Sequence, residues 1–180
     1  HHSVILTARA PRLRQTAAAP DPGFPHPQVV ADLTGGPLTR AAAASLGVDA
    51  QSASESAQRW SALLADTDDV VLLVERSGVG AAPATQTAVR HLAVLRALAT
   101  ATRQLPDDRA VTVWLVVCGA RDTPPSAAAA LWGAARTLAN EQPRLSVRRI
   151  ALAAGAEGRL AEELTARPAD DEVLLTRQGR

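Results

Sequence analysis

The chain has 180 residues, a length that suits one domain with a core of ordinary size, and its 47% hydrophobic and 21% charged residues are those of a globular protein. A formal net charge of +1 leaves no field to steer a nucleic acid or an acidic membrane surface. There is no Tyr, and all 19 basic residues are Arg. Within this chain that excludes a tyrosine acid or base, a Schiff-base lysine, a P-loop lysine and a lysine that holds a nicotinamide ribose.

In chain order, the leading His-His-Ser is set aside as an affinity-tag remnant, so His1 and His2 carry no meaning. Ser3–Arg9 reads as a first strand, and the stretch holding Pro20, Pro22, Pro25 and Pro27 reads as a loop, with His26 inside it. Gln28–Leu33 is a second strand. Leu33–Leu38, "LTGGPL", is a turn into a helix with Pro37 at its first position, and that helix stops at Gly47. Ser52–Asp66 reads as the next helix. Ser52 and Glu55 form a capping box there, and Trp60, Leu63 and Leu64 form one apolar stripe.

Asp69–Arg76 is an apolar run suited to a strand covered on both faces, as in a parallel sheet. Ala84–Leu105 is the longest helix. Ala110–Ala120 is the central strand and places Cys118 as a small buried hydrophobe near its end. A helix over Ala127–Pro143 follows, then a strand over Leu145–Leu152, a helix over Glu157–Ala166 and a last strand over Asp171–Arg177. The alternation predicts an α/β fold: a truncated, Rossmann-like, mostly parallel sheet with helices on both faces, as one domain over 1–180. The sequence leaves the strand order open and contains no internal repeat.

The usual dinucleotide site needs a glycine-rich turn after the first strand, where backbone approaches the pyrophosphate. No GxGxxG is present; the residual candidate is the G-x-G of "RSGVGAAP", Arg76–Pro83. His91 sits in the long helix as a surface or partly packed residue. No two histidines have a metal-ligand spacing, Cys118 has no CxxC partner, and Ser77 and Ser126 lack a G-x-S-x-G frame. The acidic clusters at Asp66, Asp68 and Asp69, at Asp107 and Asp108, and at Asp170, Asp171 and Glu172 precede strands and read as solvated turns. No catalytic, cofactor-binding or metal residue is assigned. A single cysteine excludes an intrachain disulfide, no apolar run reaches the roughly 18 residues that span a bilayer, and no signal-peptide pattern opens the chain. The expectation is a cytoplasmic protein.

The Ala127–Pro143 helix reads as a packing and docking helix. Leu131, Ala135 and Leu138 should face the core, and Trp132 and Arg136, four apart, should meet as a cation–π pair. Gly133 should mark the close approach of another backbone. Glu141, unfavourable near a helix C-terminus, should find a cation among Arg136, Arg144 and Arg148.

These residues carry a resemblance. "VWLVVCGA…ALWGAARTLANEQPRLSVRRIAL…DEVLLTRQGR" resembles the structural, noncatalytic half of ketoreductase domains in modular polyketide synthases. Trp114, Gly119 and Ala120 match its strand; Leu131, Trp132, Gly133, Arg136, Glu141 and Pro143 its helix; Leu152, Asp171, Glu172, Val173, Arg177, Gly179 and Arg180 its end. The match covers Val111–Arg180 well and is looser before it, and two alanines replace the usual Leu-Gly after Trp132-Gly133. The resemblance implies a scaffolding subdomain of an active ketoreductase or of a degenerate pseudo-ketoreductase, the "LANE" form leaning to the latter or to an iterative synthase. Its implied partner is the adjacent catalytic subdomain or a neighbouring synthase domain. NADPH, with catalytic Ser, Tyr and Lys, belongs to that other half, whose TGGxGxLG, Tyr and Lys are not in these residues. Two alternatives stand beside it: a free-standing Rossmann-like small-molecule or nucleotide-binding enzyme using the "RSGVG" loop, and a module that docks on other synthase domains through Trp132 and Arg136.

Overall fold

The computed structural model describes residues 29–75, 84–119, 126–166 and 170–180. The expected strand over Ser3–Arg9, the proline-rich loop with His26, and the "RSGVG" loop lie outside them. The elements are β1 (Val29–Asp32), α1 (Pro37–Ser45), β2 (Gln51–Ser52), α2 (Ala57–Leu63), β3 (Asp69–Glu75), α3 (Ala84–Thr102), β4 (Val111–Cys118), α4 (Ser126–Glu141), β5 (Leu145–Leu152), α5 (Leu160–Ala166, entered by a 3₁₀ turn at Glu157–Arg159) and β6 (Glu172–Leu175). The six strands form one sheet in the order β2-β1-β3-β4-β5-β6, and every pairing is parallel. The fold is α/β and Rossmann-like.

Both faces of the sheet are apolar because both are covered, which is why β3 and β4 read as nearly unbroken Val and Leu runs. On one face Val70, Leu72, Leu115 and Val147 pack with Trp60 of α2, Leu98 of α3 and Leu131 of α4. On the other, Val71, Leu73, Val116 and Ile150 pack with Ala42 and Ala43 of α1 and with Leu160 and Leu164 of α5.

The steps β3–α3–β4, β4–α4–β5 and β5–α5–β6 all move in one direction across the sheet. Yet α3 and α4 lie on one face and α5 on the other. The last crossover therefore has the opposite hand to the two before it. Parallel crossovers are right-handed in about 98% of cases, which makes β5–α5–β6 the exception.

Three sequence expectations are corrected. The capping box at Ser52 and Glu55 does not form: Ser52 belongs to the short strand β2, and α2 starts five residues later. Its cap is Ser56, whose side chain accepts from the Arg59 N–H, and the chain before it is fixed by the Trp60 indole donating to the Ser54 carbonyl at 2.7 Å. Asp69 is not in a solvated turn; it is buried at the start of β3 and accepts from the Trp114 indole at 3.3 Å. His91 is not at the helix surface; it is 3% exposed.

Candidate functional site

In an open parallel sheet, ligands bind outside the carboxyl ends of the strands, where the strand order reverses. Here that point lies between β1 and β3: β1 leads outward to β2, and β3 leads the other way to β4. The loop after β1 is shaped by its own side chains. Asp32 Oδ1 accepts from the N–H groups of Thr34 and Gly35, both at 2.8 Å, and Oδ2 accepts from the Thr39 hydroxyl at 2.6 Å. Gly35 takes a φ of 71°, a left-handed conformation suited to glycine. The Thr34 hydroxyl accepts from the Glu75 N–H at 2.9 Å and ties the loop to the end of β3.

Helix α1 then begins with Gly36 at its cap and Pro37 at its first position, as the sequence indicates. Gly36 has no side chain to cap the helix, and its first turn holds no acidic residue. The acceptor comes from the end of the neighbouring strand β3. Glu75 Oε2 accepts from the Leu38 N–H at 2.7 Å and from the Thr39 N–H at 3.3 Å. A Cβ on Gly36 would stand 1.9 Å from that oxygen. The glycine thus admits a carboxylate to the helix N-terminus, the place where a dinucleotide fold receives a phosphate. Glu75 escapes a search for acidic clusters because it stands alone. Its signal is indirect: an uncapped Gly-Pro helix start, and a single acid closing an apolar strand.

Beside this stopper lies an open crevice of about 470 Å³, lined in part by Thr34, Arg40, Asp49, Ser52 and Arg90. Arg40 donates to the Gly35 carbonyl at 2.5 Å, and Arg90 stands 3.7 Å from Glu55. Asp32 also borders the crevice, but both its oxygens are engaged by the loop. The lining can attract an anion through its guanidinium groups. Cys118, at the end of β4, is 1% exposed. Burial pushes its thiol up to about 12, and the carboxylates of Glu75, Asp32 and Glu157 push the same way. It packs, as expected. Among the described residues, no group of three His, Cys, Asp or Glu side chains could hold a metal.

The residues singled out on α4 are drawn into a different arrangement from the one expected. Trp132 is 7% exposed and packs on Val117, Ala128 and Ala151. It does not pair with Arg136 as a cation–π couple; both side chains converge on Glu172 of β6. Arg136 grips that carboxylate through Nε at 2.6 Å and Nη2 at 2.8 Å, Arg149 adds Nη2 at 2.8 Å, and the Trp132 side chain also favours its charged form. Burial pushes the Glu172 carboxyl up, but the Arg136 hydrogen bonds, the Arg149 charge and the Trp132 side chain together hold it below the ordinary value. The guanidinium–indole pair is Arg148 over Trp114, 5.3 Å from the ring centroid.

Gly133 is exposed, and a Cβ there would meet nothing within 4 Å, so the close backbone approach expected at it is not made among the described residues. Glu141 is exposed and gains none of its expected cations: Arg136 is on Glu172, Arg144 on Asp107, and Arg148 on Trp114. No protein-family model, curated protein or solved structure matches this chain.

Proposed function

We propose that the chain is a noncatalytic, structural subdomain of a polyketide synthase ketoreductase or pseudo-ketoreductase, supporting an adjacent NADPH-binding or other processing domain. The observation that carries this reading is the Glu75 carboxylate on the Leu38 and Thr39 N–H groups. It supplies from within the chain the anion that a cofactor would otherwise bring. A phosphate at α1 would have to displace it and meet its charge. The resemblance over Val111–Arg180 supplies the family, and the engagement of Cys118 and Trp132 in packing agrees with a supporting role. NADPH, on this reading, belongs to the neighbouring half, in a cytoplasmic synthase.

The Arg40 and Arg90 crevice favours a second reading, a small-molecule or nucleotide-binding enzyme. Titration of the purified chain with NADPH by calorimetry separates the two. The structural reading expects no heat of binding at millimolar cofactor. Saturable binding at micromolar concentration overturns it and moves the enzyme reading to first place.

A further inference from the structure

Among the described residues the far edge of the sheet carries an unfinished ladder. β6 pairs with β5 in the register Arg149 with Glu172 through Leu152 with Leu175. The Arg149 N–H donates to the Asp171 carbonyl and the Ala153 N–H to the Leu175 carbonyl. In a parallel ladder alternate residues bond to the same neighbour. The backbone groups of Asp171, Val173 and Leu175 therefore face β5, and those of Glu172 and Leu174 face outward. Among the described residues β6 ends the sheet, so its outer row is open.

The next residue in that outward series is Thr176, and its row is already paired. The Thr176 N–H donates to the Gly179 carbonyl at 2.8 Å, and the Gly179 N–H returns a bond to the Thr176 carbonyl at 3.2 Å. This antiparallel bridge closes a two-residue turn over Arg177 and Gln178. It reverses the chain and lays it along the open edge. Arg180 stands opposite Leu175 in that register, and its guanidinium reaches back to Asp170 at 2.9 Å and to Glu163 at 3.3 Å. The direction of the reversed chain is thus fixed by a hydrogen-bonded rung and by two ion pairs.

We propose that the outer edge of β6 receives an antiparallel strand from the polypeptide continuing beyond Arg180, with its next hydrogen-bonded rungs at Leu174 and Glu172. The proposal rests on reading the chain as one part of a longer synthase. An antiparallel edge strand on a parallel sheet is a common finish, and it removes the open row that invites edge-to-edge association. The register also sets a rule. The first and third residues after Arg180 must donate N–H groups to β6, whereas the second and fourth point theirs away.

The test is amide hydrogen exchange on the 180-residue chain, alone and with the strand Thr-Val-Thr-Val-Thr appended to Arg180. The Leu174 and Glu172 amides should exchange about tenfold or more slowly in the extended chain, with Val173 and Leu175, already bonded to β5, unchanged. Proline as the first appended residue keeps the carbonyl that the Leu174 N–H would meet but sets its ring against the Leu174 carbonyl, so it should weaken the Leu174 protection; proline as the second, its nitrogen facing away, should leave the protection in place. Equal rates with and without the extension overturn the proposal, as does a greater loss of protection with proline at the second position than at the first. NADPH binding to the chain would sink the structural-subdomain reading and leave this exchange result standing, so the two failures are distinguishable.

Discussion

Replacing Glu75 by alanine tests the role given to the α1 N-terminus. The carboxylate serves two backbone donors, at 2.7 and 3.3 Å, on a nine-residue helix with no cap of its own. Loss of a helix cap costs about 1 kcal/mol and loss of a favourable helix-dipole charge about 0.3–1 kcal/mol, so Glu75→Ala should cost about 1–2 kcal/mol. For a chain of this size that is a fall in Tm of about 2–8 °C. Glu75→Gln, which keeps an acceptor and loses the charge, should fall between. Gly36→Ala supplies the partner for a double-mutant cycle, since its methyl would enter the space held by Glu75 Oε2, 1.9 Å away. The Gly36 backbone, at φ −80° and ψ 171°, is open to alanine, so the cost of that methyl is the displaced carboxylate. In the Glu75→Ala background the cost should largely vanish, a coupling of about 1 kcal/mol. Urea denaturation of the four proteins measures it. A Tm unchanged by Glu75→Ala, or an equal cost of Gly36→Ala in both backgrounds, refutes the stopper.

Gly133→Ala should stabilise the chain by about 0.8–1 kcal/mol, because an exposed mid-helix glycine is exchanged for the best helix former in open space; a lower Tm would reveal a neighbour at that position. His91 is buried with Nδ1 unpartnered, and burial, aided by Arg90, lowers its pKa. The unfolded state therefore binds the proton more readily, and stability is present above an unfolded pKa of about 6.5 and lost as pH falls through the lowered folded value. His91→Leu should raise Tm at pH 7 and flatten the fall in Tm below pH 6.5; the same acid slope in the variant would show that another group causes it. Glu172→Gln should cost about 1–3 kcal/mol, since it leaves Arg149, itself 7% exposed, without its counter-charge. The folded pKa of Glu172 is lowered, so its contribution is present above an unfolded value of about 4.3 and lost as pH falls through the folded one. A Tm difference between wild type and Glu172→Gln that stays constant from pH 7 to pH 3 would contradict this role.

The strands of the centre were legible because burial on both faces writes itself as an apolar run: β5 is found at Leu145–Leu152, as read, and β3 and β4 within two residues of their expected ends. The Pro37 start and Gly47 stop of α1 were legible for a different reason, since each residue restricts its own backbone, and Gly47 takes a φ of 70°. The two-residue strand β2 carries no such signal; both its residues are exposed, and its place is set by pairing with Ala31 and Asp32. The α4 site was half legible. Spacing brought Trp132 and Arg136 to one side of the helix, but local spacing cannot report that Glu172, far along the chain, stands between their polar ends. A formal carboxylate outcompetes an indole face for a guanidinium, because two charge-assisted hydrogen bonds exceed one cation–π contact.

The crossover of unusual hand, β5–α5–β6, ends in a strand with charge gathered on both its faces. A four-residue edge strand buries little apolar surface, and of its residues only Leu175 is fully buried. The preference for right-handed crossovers gives its placement no help. Specific contacts on both faces hold it instead. On the α4 side Glu172 binds Arg136 and Arg149. On the α5 side Arg180 closes on Asp170 and on the buried Glu163, whose carboxyl is raised by burial, lowered in part by Arg180, and raised again by Asp170. A raised carboxyl contributes stability below its unfolded pKa and loses it as pH rises through the folded value, so the desolvation of Glu163 works against the pairing with Arg180 as that carboxyl ionises. The two clasps respond to acid in opposite senses: between the folded and unfolded pKa of each group, falling pH weakens the Glu172 side and relieves the Glu163 side. The edge strand is therefore held by a balance of paired charges where the inner strands are held by apolar burial, and an added antiparallel strand along Leu174 and Glu172 would shift that balance toward backbone pairing.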